Sequence, residues 1–90
     1  MGKPTSEELQ KALTQAAFLR ENDVDEHFLG KALLSLNYRH GLLEAVMQEA
    51  KRYMHSGHSA QHHRELLRAI ERAEVAEREP GNEPGLPLSR

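Results

Sequence analysis

Residues 42–70 read LLEAVMQEAKRYMHSGHSAQHHRELLRAI and contain two helical patterns separated by a short turn. Before the turn, seven apolar residues recur at helical spacing and fall within an arc of about 140°. They are Leu42, Leu43, Val46, Met47, Ala50, Tyr53 and Met54. Gly57 tolerates the positive φ that closes a helix, and Ser59 suits the N-cap of the next one. A short turn between two such helices predicts an antiparallel αα-hairpin.

The second helix of the hairpin places its apolar residues on one face and then becomes highly charged. That face is predicted to be Leu66, Leu67, Ile70 and Ala73. Glu74 then occupies the position that would continue the face, so the helix end is expected to be solvated. Residues 80–90 are rich in proline and glycine, which stop helices and build no core. The sequence therefore predicts a helical domain over residues 1–79 and a disordered tail over residues 80–90.

A first helix is predicted upstream, from Thr5 or Ser6 to about Glu21. Thr5 and Glu8 have the three-residue spacing of a capping box, in which each side chain accepts from the other residue's backbone N–H. The apolar residues Leu9, Leu13 and their neighbours recur at helical spacing after it.

A second helix is predicted from about Glu26 to Leu36, with Asp25 or Asp23 as its cap. We predict a break near Asn37, although one long kinked helix is the alternative, since a single Gly41 costs only about 1 kcal/mol. The expected fold is all-α, a small bundle of three to four helices that ends in the antiparallel αα-hairpin.

Composition limits the chemistry, the cellular location and the size of the core that the sequence predicts. The chain has no cysteine, which excludes disulfides and thiolate chemistry. It has no apolar run of about 18 residues and no basic-then-apolar leader, so no membrane span is predicted and a cytoplasmic location is expected. About 75 foldable residues with little aromatic content bury only about 60% of the surface that the unfolded chain exposes. Oligomerisation would stabilise such a chain.

Four of the six histidines lie around the turn between residues 55 and 63. His55, His58 and His62 are candidate ligands for zinc, nickel or copper, which accept imidazole nitrogens. The competing interpretation is a set of solvated turn histidines, with His63 packed at the core edge beside Tyr53. We favour that second interpretation and predict no metal and no cofactor.

Catalysis and nucleic-acid binding are poorly supported by the sequence. The chain has no nucleophile elbow and no phosphate-binding glycine loop. The acidic run that starts at Asp23 fails as a calcium loop, because Phe28 and Leu34 stand where glycine and glutamate are needed. A basic face is conceivable on the hairpin, but glutamates are interleaved with its cations, so nucleic acid is not favoured as a partner. Those cations are Arg39, Lys51, Arg52, Arg64 and Arg68.

The favoured function is a non-catalytic protein-interaction or assembly module. Two apolar residues, Phe18 and Leu34, remain after each helix has been given one core face, and Gly30 leaves a groove beside Leu34. They predict either a homodimer interface formed by Phe18, Gly30 and Leu34, or a contact with a different protein. The intrachain alternative is a second helix buried on two sides, with Phe18 covering Leu34.

Overall fold

The computed structural model describes residues 2–78, which form three α-helices and no strand. Helix α1 spans Ser6–Glu21, α2 spans Leu29–His55 and α3 spans Ala60–Arg78. The predicted all-α class is confirmed, with three helices, and the tail predicted at 80–90 lies outside the described residues. None of these helices has the length and apolar character needed to cross a membrane. The chain divides into two compact units, within residues 2–36 and within residues 37–78, and each is described by itself.

Helix α1 begins with the predicted capping box. The backbone N–H of Glu8 donates to Thr5 Oγ1 at 3.1 Å, and the backbone N–H of Thr5 donates to Glu8 Oε1 at 2.8 Å. Two of the N–H groups that a helix start leaves unpaired are thereby satisfied. The helix ends at Glu21, as predicted.

Helix α2 begins at Leu29, three residues later than predicted, and Asp25 caps it from outside the helix. Asp25 Oδ1 accepts from the backbone N–H of Gly30 at 2.8 Å, and Oδ2 accepts from that of Lys31 at 2.9 Å. Phe28 stands immediately before the helix with φ of 60°, so an apolar side chain occupies the usual N-cap position. Asp25 therefore supplies the oxygens that a Ser, Asp or Asn cap would supply locally.

The carboxyl group of Asp25 is also paired with a cation. Arg20 Nη1 lies 3.2 Å from Asp25 Oδ2, whose side chain is only 3% exposed. Burial raises the pKa of Asp25, but the hydrogen bonds from Gly30, Lys31 and Arg20 outweigh it, so the pKa is lowered from 3.8. The ionised form of Asp25 is therefore the form that the fold favours.

The predicted break near Asn37 is wrong, because α2 continues without interruption from Leu29 to His55. Gly41 keeps a negative φ within the helix, and Asn37 starts no new one. A helix can carry one glycine at a cost of about 1 kcal/mol when tertiary packing continues on both sides. The alternative of one long helix is therefore the one that forms. It begins at Leu29, so residues 26–28 are not part of it.

The turn between α2 and α3 forms as its residues predict. Gly57 and His58 both have positive φ, at 72° and 65°, and the N–H of His58 donates to Tyr53 O at 3.1 Å. This bond closes the C-terminus of α2 in the manner of a Schellman motif. Ser59 Oγ then accepts from the N–H of His62 at 3.2 Å and caps α3.

Helices α2 and α3 run antiparallel, since Arg39 pairs with Glu77 and Glu49 lies near His62, and the most buried residues of α3 are small. Ala69 is 1% exposed and Ala73 is 6% exposed, whereas Leu67, which the sequence assigned to the core face, is half exposed. The contact face of α3 is therefore rotated from the predicted one and centres on Ala69 and Ala73. Leu66 and Ile70 flank this face and are partly buried.

We expect Asp25→Asn to lower the melting temperature at pH 7 by several degrees. The amide NH₂ of asparagine would face the donors of Lys31 or Arg20, so at least one bond of the cap is lost. A folded-state pKa below the unfolded value gives stability that is present above the unfolded pKa and is lost as the pH falls through the folded pKa. The gap between variant and wild type should thus narrow below about pH 4 in thermal melts followed by circular dichroism.

Asp23→Asn is the matched control, because Asp23 is exposed in the same loop and asparagine accepts its φ of 54°. It should melt like the wild type throughout. Equal losses for the two variants would mean that loop charge, and not the cap on α2, stabilises the fold.

Candidate functional site

Two sets of polar contacts mark opposite edges of the contact between α2 and α3. On one edge, Arg39 Nη1 lies 3.0 Å from Glu77 Oε1. On the other edge, side-chain atoms of Glu49, His62 and Glu65 that could bind a metal ion lie within 4.8 Å of one another. At about 100° per residue, Arg39 and Glu49 are about 80° apart on α2. The hairpin therefore has two distinguishable sides, each fixed by a contact between the helices.

The side marked by Arg39 and Glu77 is apolar beyond the ion pair, and we call it the apolar side. Helical spacing places Leu43, Met47 and Met54 of α2 on it, and Leu67 of α3 lies beyond Glu77 on the same side. These four side chains are between 48% and 63% exposed. Four large apolar side chains exposed on one side of a hairpin are a candidate interaction surface.

The opposite side, which we call the polar side, is built from Glu49 of α2 and from His62 and Glu65 of α3. His62 and Glu65 are three residues apart, so they share a face of α3, and the antiparallel pairing brings Glu49 opposite them. Arg52 Nη1 lies 2.7 Å from Glu49 Oε2 and forms an ion pair with that carboxylate. This is the one group of three His, Asp or Glu side chains with metal-ligand proximity among residues 2–78.

A shallow groove of about 430 Å³ opens beside His62 on the polar side. It is lined by Gln48, Lys51, Arg52, His55, Ser56 and His62. Of the three residues of the cluster, His62 lines this groove.

The structure separates the three histidines that the sequence proposed as metal ligands. His55 and His58 are exposed, and the ring of His58 lies 4.8 Å from that of Tyr53. His63 is also beside Tyr53, with ring centroids 5.6 Å apart, although the residue is exposed. His62 is the half-buried histidine of the group, and its neighbours are glutamates that the sequence did not single out. That His55, His58 and His62 are only candidate ligands and hold no metal stays a prediction.

The residues of the predicted interface occupy different environments. Phe18 is half exposed and Leu34 is partly buried. Gly30 is buried, and a Cβ added to it would lie 2.7 Å from the backbone oxygen of Ala16. The missing side chain of Gly30 thus admits α1 of the same chain. The participation of Phe18, Gly30 and Leu34 in an interface between chains remains a prediction.

The cations of the predicted basic face are divided between the two sides of the hairpin. Arg39 pairs with Glu77 on the apolar side, and Arg52 pairs with Glu49 on the polar side. Lys51, Arg64 and Arg68 are exposed. Two of these five cations are therefore already paired with glutamates.

Comparison with protein-family models, with curated proteins and with solved structures finds no significant match to this chain. A functional assignment therefore depends on the chemistry of the two sides of the hairpin.

Gly30→Ala should destabilise the protein by about 1–3 kcal/mol, because the new methyl group forces the backbone of α1 away from α2. The same exchange at Gly41 meets nothing within 4 Å. Gly41→Ala should instead stabilise the protein by about 1 kcal/mol, since it only improves helix propensity. Chemical denaturation of the two variants measures both effects. A gain of similar size at both positions would show that Gly30 is not a contact between α1 and α2.

Proposed function

We propose that this chain is a non-catalytic assembly module that pairs with a second copy of itself through the apolar side of the hairpin. The observation that carries the proposal is the exposure of four large apolar side chains on one side of a hairpin whose buried residues are alanines. The four are Leu43, Met47, Met54 and Leu67.

The first support is the small core of the single chain. Among residues 2–78, the buried apolar residues are Ala16, Ala69 and Ala73, and no large side chain is fully buried. A domain of this size is marginally stable even with a well-filled core. Burying a large apolar side chain contributes about 1.5–3 kcal/mol, so covering the apolar side would supply stability that one chain lacks.

The second support is the spacing of the exposed residues on α2. Leu43 is followed by Met47 four residues later and by Met54 seven residues after that. Leu36 and Leu29 precede Leu43 at intervals of seven on the same helix, and both are exposed. Apolar residues that repeat every seven positions form a seam along which another helix packs. The partner is therefore expected to present a helix.

A second copy of the chain fits this requirement. In a twofold dimer the same stripe meets itself, so one seam supplies both halves of the interface. Glu44 and Lys51 are both exposed and stand seven residues apart along one edge of the seam. An antiparallel pair of α2 helices whose twofold axis lies between these two residues opposes each Glu44 to the Lys51 of the other copy. The charges of the edge are thus complementary in a self-association.

Leu43→Glu should convert a dimer to a folded monomer, because it places a carboxylate in the middle of the seam. Val75→Glu is the matched control, since Val75 is exposed on α3, about 160° from Glu77 and about 80° from Leu67. Light scattering gives the mass of each protein, and circular dichroism shows that each is folded. A wild type that is monomeric at high concentration would remove the proposal.

Two further measurements test whether the partner is a second copy. The melting temperature of the wild type should rise with protein concentration, as mass action requires for a dimer. Lys51→Glu should weaken association through repulsion between facing glutamates, and Glu44→Lys combined with Lys51→Glu should restore it. Recovery of the dimer mass in the double variant, together with its loss in Lys51→Glu, would establish the antiparallel register. Loss of the dimer in Leu43→Glu without any effect of the charge exchange would place the axis elsewhere on the seam.

A further inference from the structure

We propose that Glu49, His62 and Glu65 form a zinc site that ties α2 to α3 on the polar side of the hairpin. The site goes beyond the proposed self-association and lies on the other side of the helix pair. It also differs from the histidine set suggested by the sequence, because two of its three ligands are carboxylates.

The geometry brings three ligand groups together from two helices. One donor atom from each residue lies within 4.8 Å of the other two. Zinc binds imidazole nitrogen and carboxylate oxygen at about 2.0–2.2 Å, which in a tetrahedral site separates the ligand atoms by about 3.3 Å. Rotations within the flexible glutamate side chains are enough to close the set around a zinc ion, while His62 and Glu65 keep their places one turn apart on α3.

Two atoms of the cluster make no hydrogen bond although they are shielded from solvent. Glu49 Oε1 and His62 Nδ1 each expose less than 1 Å² and make no hydrogen bond. Glu65 Oε1 lies 3.2 Å from His62 Nδ1, but the two are not aligned as a hydrogen bond. Buried polar atoms without partners are rare in folded proteins because they are costly. A cation held by the cluster would give both atoms the partner that they lack as hydrogen-bonding groups.

The types of donor favour zinc over the common hard cations. Calcium and magnesium prefer sites made of oxygen atoms, whereas zinc accepts a mixture of imidazole nitrogen and carboxylate oxygen. Three protein ligands and one water complete a tetrahedral shell. Of the three proposed ligands, His62 lines the groove on this side of the hairpin.

The residues behind the site orient it. Arg52 Nη1 pairs with Glu49 Oε2 at 2.7 Å, and Glu49 Oε1 takes no part in that ion pair and makes no hydrogen bond. Hydrogen bonds of this kind from outside the ligand set commonly fix the orientation of a ligating carboxylate. The positive charge of Arg52 opposes the approach of a cation, so the affinity is expected to be lower than that of a site with no neighbouring arginine.

Zinc chloride added to untagged, chelator-treated protein tests the proposal. The melting temperature should rise with zinc, because a ligand that binds only the folded state at a hundredfold excess over its Kd shifts the folding equilibrium about 100-fold. Cobalt(II) should give the visible absorption of a tetrahedral site, and imidazole NMR signals should shift at His62 with one ion bound per chain.

Four variants locate the ligands. His62→Gln and Glu49→Gln should each abolish the zinc-dependent rise in melting temperature, measured against the metal-free melt of the same variant. His55→Gln and His58→Gln should keep it, because these histidines lie outside the cluster. The absence of any zinc effect in the wild type would overturn the proposal. So would a zinc effect that persists in His62→Gln, or one that disappears in His58→Gln and not in Glu49→Gln.

Leu43→Glu separates this inference from the proposed self-association. The variant should keep its zinc response, since Leu43 lies on the apolar side and contributes no ligand. A zinc response that is lost with Leu43→Glu would mean that the site requires the dimer, which contradicts a site built within one hairpin.

Discussion

Ala69 and Ala73 are the buried residues of α3 in its pairing with α2, and their small size limits the core of the hairpin. Two methyl side chains bury little apolar surface by themselves. The larger apolar residues of the hairpin are only partly buried, as Leu66 and Ile70 are, or about half exposed, as Leu43, Met47 and Leu67 are. The same pairing of helices brings Glu49 within reach of His62 and Glu65. Both candidate surfaces are consequences of this one pairing.

The unit formed by residues 2–36 also uses a small residue, at Gly30, combined with a buried charge. A carboxylate as shielded as that of Asp25 is stable only with partners, and it has three, the N–H groups of Gly30 and Lys31 and the guanidinium of Arg20. Their combined effect lowers the pKa below its usual value despite burial. The start of α2 is thus fixed by electrostatics and by a backbone contact, with few apolar side chains involved.

The sequence correctly predicted those features of the fold that depend only on residues close together in the chain. The capping box of Thr5 and Glu8, the Gly57 closure and the Ser59 cap all depend on residues within a few positions of one another, and all three form. The continuity of α2 through Asn37 was not predictable in this way, because it depends on packing further along the chain. The phase of α3 was also misjudged, since counting large apolar residues placed Leu67 inside and overlooked Ala69. The partners of His62 required the register between two helices, although the three-residue spacing of His62 and Glu65 was already visible.

The two proposed sites are on opposite sides of the hairpin, so a dimer partner and a zinc ion would not compete for the same atoms. The partner and the zinc ion would nevertheless both act on the pair formed by α2 and α3. A zinc ion held by Glu49 and by His62 restricts the angle between α2 and α3, and that angle sets the position of Leu67 relative to Leu43 and Met47. Two ligands that favour the same conformation strengthen each other's binding by an equal factor, whichever binds first. Among residues 37–78 the buried residues are Ala69 and Ala73, so little fully buried apolar surface fixes that angle within one hairpin. Coupling between metal and partner would thus arise from the weak core itself and would require no additional moving part.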